Sequence, residues 1–120
     1  MSITKNSNTV ASYGFSVNGT SSDLSGCEEL VAAPAAGVSI YLTKVLITCV
    51  AAISVTLGAG ETGGACTTIL LGPITFAATS GSPYALDFGN KGIKLDAATS
   101  LTIDASGAGA VQVYVEGYTR

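Results

Sequence analysis

The longest apolar run of the chain, VSIYLTKVLITCV at residues 38–50, decides its fold. Apolar residues occupy positions 38, 40 and 42 in its first half and positions 45, 47 and 49 in its second half. Because the side chains of a strand alternate between its two faces, this change of parity would move the apolar set to the opposite face. The pattern therefore predicts either a β-bulge near Thr43 and Lys44 or a strand that is buried on both faces.

The segment from Val38 to Leu57 is also long enough to cross a bilayer as a helix, since it has twenty residues and a single charge, Lys44. Half of its positions are Val, Ile or Thr, whose branched β-carbons favour a pleated strand. We therefore expect strands of a soluble domain, without a membrane partner.

Short strand patterns recur from Glu28 to Tyr118. Gly, Pro, Ser and Asn interrupt them about every 8 to 12 residues, and no helical period is sustained. These features predict an all-β fold, an antiparallel β-sandwich or barrel of about eight strands. The residues expected in its core are Ile40, Leu42, Ile47, Val55, Leu57, Phe76, Leu86, Leu101, Ile103 and Val113.

Residues 1–26 differ from the rest because they are rich in Ser, Asn, Thr and Gly. We interpret them as a short N-terminal arm, with one strand near Tyr13 to Val17, and residues 27–120 as the β-sandwich domain. The arm has spaced apolar residues that would suit contact with a partner protein: Ile3, Val10, Tyr13 and Phe15.

The composition of the 120 residues limits the function. The formal charge is −3, which argues against nucleic acid as a partner. No His is present, so a nucleophile would lack its usual base and a zinc site its usual nitrogen ligand. Only 11% of residues are charged, which predicts a neutral surface that another protein covers. Together with the parity change in residues 38–50, this low charge predicts an obligate oligomer.

The chain has three cysteines, Cys27, Cys49 and Cys66, and this odd number favours buried thiols in a reducing compartment over a disulfide framework. If any pair forms, we expect Cys49 with Cys66. The first ten residues lack the apolar stretch of a secretory signal, which predicts synthesis in a cytoplasm.

The stretch from Gly58 to Gly63 matches the dinucleotide pattern GxGxxG. A dinucleotide site needs a helix directly after the motif, whereas β-branched residues follow here. We therefore expect a flexible hairpin loop at residues 58–64 and no cofactor. The acidic residues could pair for glycoside hydrolysis or bind calcium, but most stand singly where strands end, which favours solvated surface positions and no metal or catalytic site: Glu28, Glu29, Glu61, Asp87, Asp96, Asp104 and Glu116.

The order of five segments is distinctive: ELVAAPAAGVSIYL at residues 29–42, ISVTL at 53–57, LGPITFAA at 71–78, LTIDASG at 101–107 and VQVYVEG at 111–117. Over residues 28–118 this order resembles small bacteriophage structural proteins that decorate or cement the heads of tailed phages. The resemblance implies a jelly-roll β-sandwich, a homotrimer about a threefold axis, and a place on the outer surface of the virion. There it would bridge subunits of the major capsid protein. It would have no enzymatic activity and no small-molecule substrate. The candidate capsid contacts are the apolar residues of the arm, Ile3, Val10, Tyr13 and Phe15.

Two other functions stay open. The first is a receptor- or glycan-binding tip domain of a phage fibre, in which the five tyrosines could stack on sugars. The second is a small sugar-active enzyme that uses two carboxylates.

Overall fold

A computed structural model describes residues 3–9, 14–77 and 83–120, and these form an all-β protein without helices. None of them belongs to a helix with the length and hydropathy to span a bilayer. The strands are β1 (Thr4–Thr9), β2 (Gly14–Asp23), β3 (Glu28–Val31), β4 (Ile40–Cys49), β5 (Ser54–Thr62), β6 (Ala65–Thr75), β7 (Tyr84–Asp87), β8 (Ile93–Lys94), β9 (Leu101–Ala105) and β10 (Ala108–Thr119).

The strands form two antiparallel sheets that pack as a sandwich. The first sheet has the order β1-β2-β10-β4-β7, with β8 beside β4, and the second has the order β3-β9-β5-β6. Four nested pairs connect early strands with late ones: β2 with β10, β3 with β9, β4 with β7, and β5 with β6. This nesting is that of a long antiparallel hairpin rolled into two sheets, which is a jelly roll. The predicted fold class is therefore confirmed.

The parity change in β4 is a β-bulge at Thr43. Lys44 pairs with Glu116 of β10 and Leu42 pairs with Gly117, so Thr43 has no partner of its own in that strand. The Thr43 hydroxyl donates a hydrogen bond to the Glu116 carbonyl oxygen at 3.0 Å. Apolar side chains on both sides of the bulge are buried, whereas Lys44 and Leu46 are exposed. The predicted bulge is confirmed, and the alternative of a strand buried on both faces is wrong. Because the bulge keeps both apolar sets in the core of one chain, the parity change gives no argument for an oligomer.

The core lies between the two sheets, where β-branched and leucine side chains alternate with outward-facing residues. Nine of the ten predicted core residues are buried. The exception is Leu86, which is half-buried because β7 lies at the edge of the first sheet, opposite Val45.

The residues that the sequence assigned to an arm contribute two strands to the first sheet. β2 pairs with β10 along most of its length, and β1 forms a hairpin with β2. The Val17 side chain of β2 is buried in the core. The strand expected near Tyr13 to Val17 is thus confirmed from Gly14 onward and continues to Asp23, whereas Tyr13 lies outside the described residues.

Three local predictions are corrected. Residues 58–62 are not a loop, because β5 continues through them to a turn at Gly63 and Gly64. The Gly72-Pro73 pair does not interrupt a strand as the sequence pattern suggests, because β6 runs through it from Ala65 to Thr75. Cys49 is not near Cys66, since it lies in the core on β4 with its Sγ atom 3.5 Å from the Ala51 carbonyl oxygen, and the partner of Cys66 is Cys27.

Two neighbours on β4 test the assignment of its faces. Ile47 is fully buried, whereas Leu46 is 39% exposed on the opposite face. Ile47→Ala should lower the free energy of unfolding by about 2–5 kcal/mol, since it leaves a cavity in the core. Leu46→Ala removes the same number of carbon atoms and should cost less than about 1 kcal/mol. Urea denaturation of both variants measures the difference, and equal losses would contradict the bulge.

Gly117 tests the packing around the bulge. A Cβ atom at this position would collide with the Tyr41 carbonyl oxygen and lie 2.7 Å from Cζ of Phe15. Gly117→Ala should therefore destabilise the fold by about 2 kcal/mol or more. The matched control is Gly107→Ala, where the nearest atom is Ile53 Cγ2 at an ordinary 3.6 Å, and which should change stability by less than about 1 kcal/mol. Thermal melting of both variants gives the comparison.

Candidate interaction surfaces

The outer edge of β6 is the first candidate surface. β6 ends the second sheet, and no other strand of the described residues pairs with its outer side. Its eleven residues, ACTTILLGPIT, include no charged side chain. Ile69 in its middle is 61% exposed, the largest exposed fraction among the large apolar side chains that the structure describes.

The other sheet edges differ from β6 because each has charged residues. β1 contains Lys5, β3 contains Glu28 and Glu29, and the edge formed by β7 and β8 contains Asp87 and Lys94. Charges on an edge strand hinder pairing with the strand of another molecule. In the described part of the chain, β6 is therefore the edge that lacks this protection.

The outer face of the first sheet is the second candidate surface. Asn18, Tyr114 and Leu46 are register partners across β2, β10 and β4, and Gln112 lies opposite Thr48. Their side chains and Val113 line a shallow depression of about 280 Å³. We call the residues that line this depression the neutral face, since their groups are amides, hydroxyls, a phenol and apolar carbons. The adjoining row of the same sheet face holds the charged residues Lys44 and Glu116.

The tyrosines differ in what they can offer a partner. The Tyr114 hydroxyl donates a 2.7 Å hydrogen bond to Glu116 Oε2, and this bond raises the pKa of Tyr114. Tyr41 and Tyr118 stack on each other with ring centroids 4.8 Å apart. Tyr84 packs against the core, and Tyr13 lies outside the described residues. Tyr114 is thus the tyrosine of the neutral face.

The four candidate capsid contacts fall into two groups. Ile3 and Phe15 are half-buried and pack against the core, Ile3 near Gly19 and Leu30 and Phe15 near Gly117. Val10 and Tyr13 lie outside the described residues. Contact of these side chains with a capsid stays a prediction, but Ile3 and Phe15 already have neighbours within the sandwich.

The glycine-rich stretch 58–63 belongs to β5 and the turn that follows it. Gly60, with a φ of 75°, lines an open groove of about 420 Å³ between the β5–β6 hairpin and residues 94–100. The charged residues that line the groove are Glu61, Lys94 and Asp96. The motif leads into β6, a strand, where a dinucleotide fingerprint needs the N-terminus of a helix.

Several acidic residues support local turns. Asp87 accepts a hydrogen bond from the Gly89 N–H at 2.8 Å, and Glu61 accepts one from the Gly64 N–H at 3.3 Å. Asp104 is half-buried on β9, and its Oδ1 atom has no hydrogen-bond partner among the residues that the structure describes. In residues 3–9, 14–77 and 83–120, no three His, Cys, Asp or Glu side chains are arranged to hold a metal ion.

Comparisons with protein-family models, curated proteins and solved structures give no match to this chain. The described residues themselves define the class of protein as a jelly-roll sandwich that has an uncharged edge strand, β6, and a neutral face.

Asp104 gives a test by pH. Burial raises the pKa of its carboxyl group because the charged form loses its hydration. The contribution of protonated Asp104 to the free energy of unfolding is complete below the pKa that the carboxyl group has in the unfolded chain. It is lost as the pH rises through the higher pKa of the folded state. Relative to the wild type, Asp104→Asn should therefore have a higher free energy of unfolding at pH 7 than at pH 4. Urea denaturation at both pH values measures this, and an equal effect of the substitution at pH 4 and pH 7 would contradict the raised pKa.

Proposed function

We propose that this protein is a viral structural protein, a homotrimeric decoration or cement protein that binds the outer surface of a phage capsid. In this role it stabilises contacts between subunits of the major capsid protein. The proposal combines the resemblance of residues 28–118 with two surfaces that suit protein partners, the β6 edge and the neutral face.

The uncharged edge of β6 is the observation that carries the proposal. An edge strand presents unpaired backbone N–H and C=O groups, which pair readily with another chain. Residues 65–71 of this edge have neither a charge nor a proline, and with Ile69 exposed among them they would favour aggregation in a protein that works alone. We assign this edge to the contact between copies in the trimer, where a neighbouring subunit covers it.

The neutral face supports the second half of the proposal. It lies on the first sheet, whereas β6 belongs to the second sheet, so the two surfaces are distinct. Interfaces between proteins are depleted in charged residues and enriched in Tyr at their centre. Tyr114 and Leu46, with the amides of Asn18 and Gln112 around them, have that composition. We assign this face to the major capsid protein.

A charge on the edge strand tests the trimer. Ile69→Lys should turn the trimer into a monomer, because the lysine would have to be buried without a partner in the contact. Val50→Lys is the matched control, since Val50 is 58% exposed and lies beyond the end of β4. Light scattering at micromolar concentration measures the mass. A wild type with the mass of one 11.9 kDa chain would contradict the trimer.

Binding to empty phage heads tests the attachment. The wild type should bind undecorated heads in a cosedimentation assay, and Tyr114→Ala together with Leu46→Ala should weaken binding at least tenfold while the trimer is retained. Thr4→Ala, on the edge strand β1, is a control that should bind as the wild type does. Equal binding by the neutral-face variant would remove this face from the attachment mechanism.

A receptor- or glycan-binding tip domain is the second candidate function. It is favoured by the same depression, because an aromatic ring beside amide and hydroxyl groups can stack on a sugar and bond its hydroxyls. A glycan array distinguishes the two functions. Specific glycan binding that is lost in Tyr114→Ala, without binding to heads, would favour the second function.

A further inference from the structure

Two cysteine side chains meet on the outer side of the second sheet. The Sγ atoms of Cys27, just before β3, and Cys66, near the start of β6, lie 3.1 Å apart. The Thr102 hydroxyl is 3.5 Å from Cys66 Sγ. Thr102 stands between two core residues of β9, so its side chain points away from the core. The two sulfur atoms therefore lie outside the main core.

Backbone contacts hold the two cysteines in this position. The Cys27 N–H donates a hydrogen bond to the Gly64 carbonyl oxygen at 3.0 Å, which fixes the segment before β3 against the β5–β6 turn. Cys66 packs over Gly58, where a Cβ atom would lie only 2.5 Å from Cys66 Cβ and 2.8 Å from its Sγ. The absence of a side chain at Gly58 thus leaves room for the Cys66 thiol beside Cys27.

The two thiols differ in their access to solvent. Cys27 is 6% exposed, whereas Cys66 is half-buried. Burial raises the pKa of the Cys27 thiol to about 12, and the titratable groups that face it are Cys66 on β6 and Asp104 on β9. A reagent in solution therefore reaches Cys66 first, while Cys27 stays protonated at neutral pH.

We propose that Cys27 and Cys66 form a reversible disulfide, a redox modification site that links the segment before β3 to the β5–β6 hairpin. The oxidant is a low-molecular-weight disulfide, such as oxidised glutathione. This inference rests on the geometry of the two thiols and is independent of the proposed function.

The chemistry is two thiol–disulfide exchanges. The Cys66 thiolate attacks one sulfur of the small disulfide, which releases one small thiol and leaves a mixed disulfide on Cys66. Cys27 then loses its proton to water and attacks Cys66 Sγ, which releases the second small thiol. Overall, two protein thiols are oxidised to one disulfide and one small disulfide is reduced to two thiols. A reducing cytoplasm keeps both cysteines as thiols, and an oxidising environment closes the bond.

The disulfide would add a covalent link between the segment before β3 and the start of β6. The strands β3 and β6 are the two end strands of the second sheet and do not pair with each other. β6 pairs only with β5 among the described strands, and the link joins its first residues to a position 39 residues earlier in the chain. Cross-links that close loops of this size restrict the unfolded chain, so the oxidised form should melt about 10 °C higher than the reduced form.

Peptide mapping of the full chain tests the disulfide. The reduced protein is incubated with oxidised glutathione at pH 8, blocked with an alkylating reagent and cleaved after glutamate. This cleavage places the cysteines in separate peptides, residues 1–28, 30–61 and 62–116. We expect a cross-link between the first and third peptides, which dithiothreitol reverses. A cross-link to the peptide of Cys49, or a glutathione adduct on Cys66 that never resolves, would overturn the proposal.

Variants give the controls. Cys27→Ser should hold one glutathione on Cys66 and show no rise in Tm on oxidation, whereas Cys49→Ala should still form the disulfide. Resolution of the mixed disulfide in the wild type should accelerate about tenfold per pH unit between pH 7 and pH 9, because Cys27 must lose its proton. A rate of resolution that is independent of pH would contradict the role given to Cys27.

Discussion

The bulge at Thr43 is the constraint on which the sandwich depends. A strand as long as β4 must keep one set of side chains in the core, yet the parity of its apolar residues changes in the middle. The extra residue opposite β10 absorbs the change, so that Leu42 and Val45 both face the core. β4 is central in the first sheet, and β10, β7 and β8 all take their register from it.

The edges of the sheets show how the protein limits contacts with other chains. Lys5, Glu29 and Asp87 are examples of charges that stand on three of the edges in the described part of the chain. The Lys5 ammonium also donates a hydrogen bond to the Glu29 carbonyl oxygen at 3.1 Å, which links an edge strand of one sheet to an edge strand of the other. β6 lacks such charges, although it belongs to the same molecule. This contrast with the other described edges supports its assignment as the proposed interface.

The same part of β6 connects the proposed interface with the thiol pair. Cys66 and Ile69 are three residues apart on this strand, so an oxidised Cys27–Cys66 bond would restrain the start of the edge that we assign to the trimer. The two proposals nevertheless rest on different observations. One depends on the absence of charge and on exposure, and the other on the contact of two sulfur atoms.

The sequence by itself determined the all-β class, the parity change in residues 38–50 and nine of the buried core residues, because strand periodicity is a local property that each segment shows alone. Only the pairing of β4 with β10 decided that the parity change is a bulge. The tertiary structure alone decided what depends on neighbours distant in the chain. Residues that the sequence assigned to an arm belong to the first sheet, because β2 pairs with β10, and Phe15 packs over Gly117. The tertiary structure also brought Cys27 to Cys66, since the turn at Gly64 folds against the segment before β3, a contact that the number and spacing of cysteines cannot reveal. Finally, the order of strand pairing decides which strand lies at the end of a sheet. The uncharged residues of β6 are a candidate surface because no other described strand pairs with the outer side of β6.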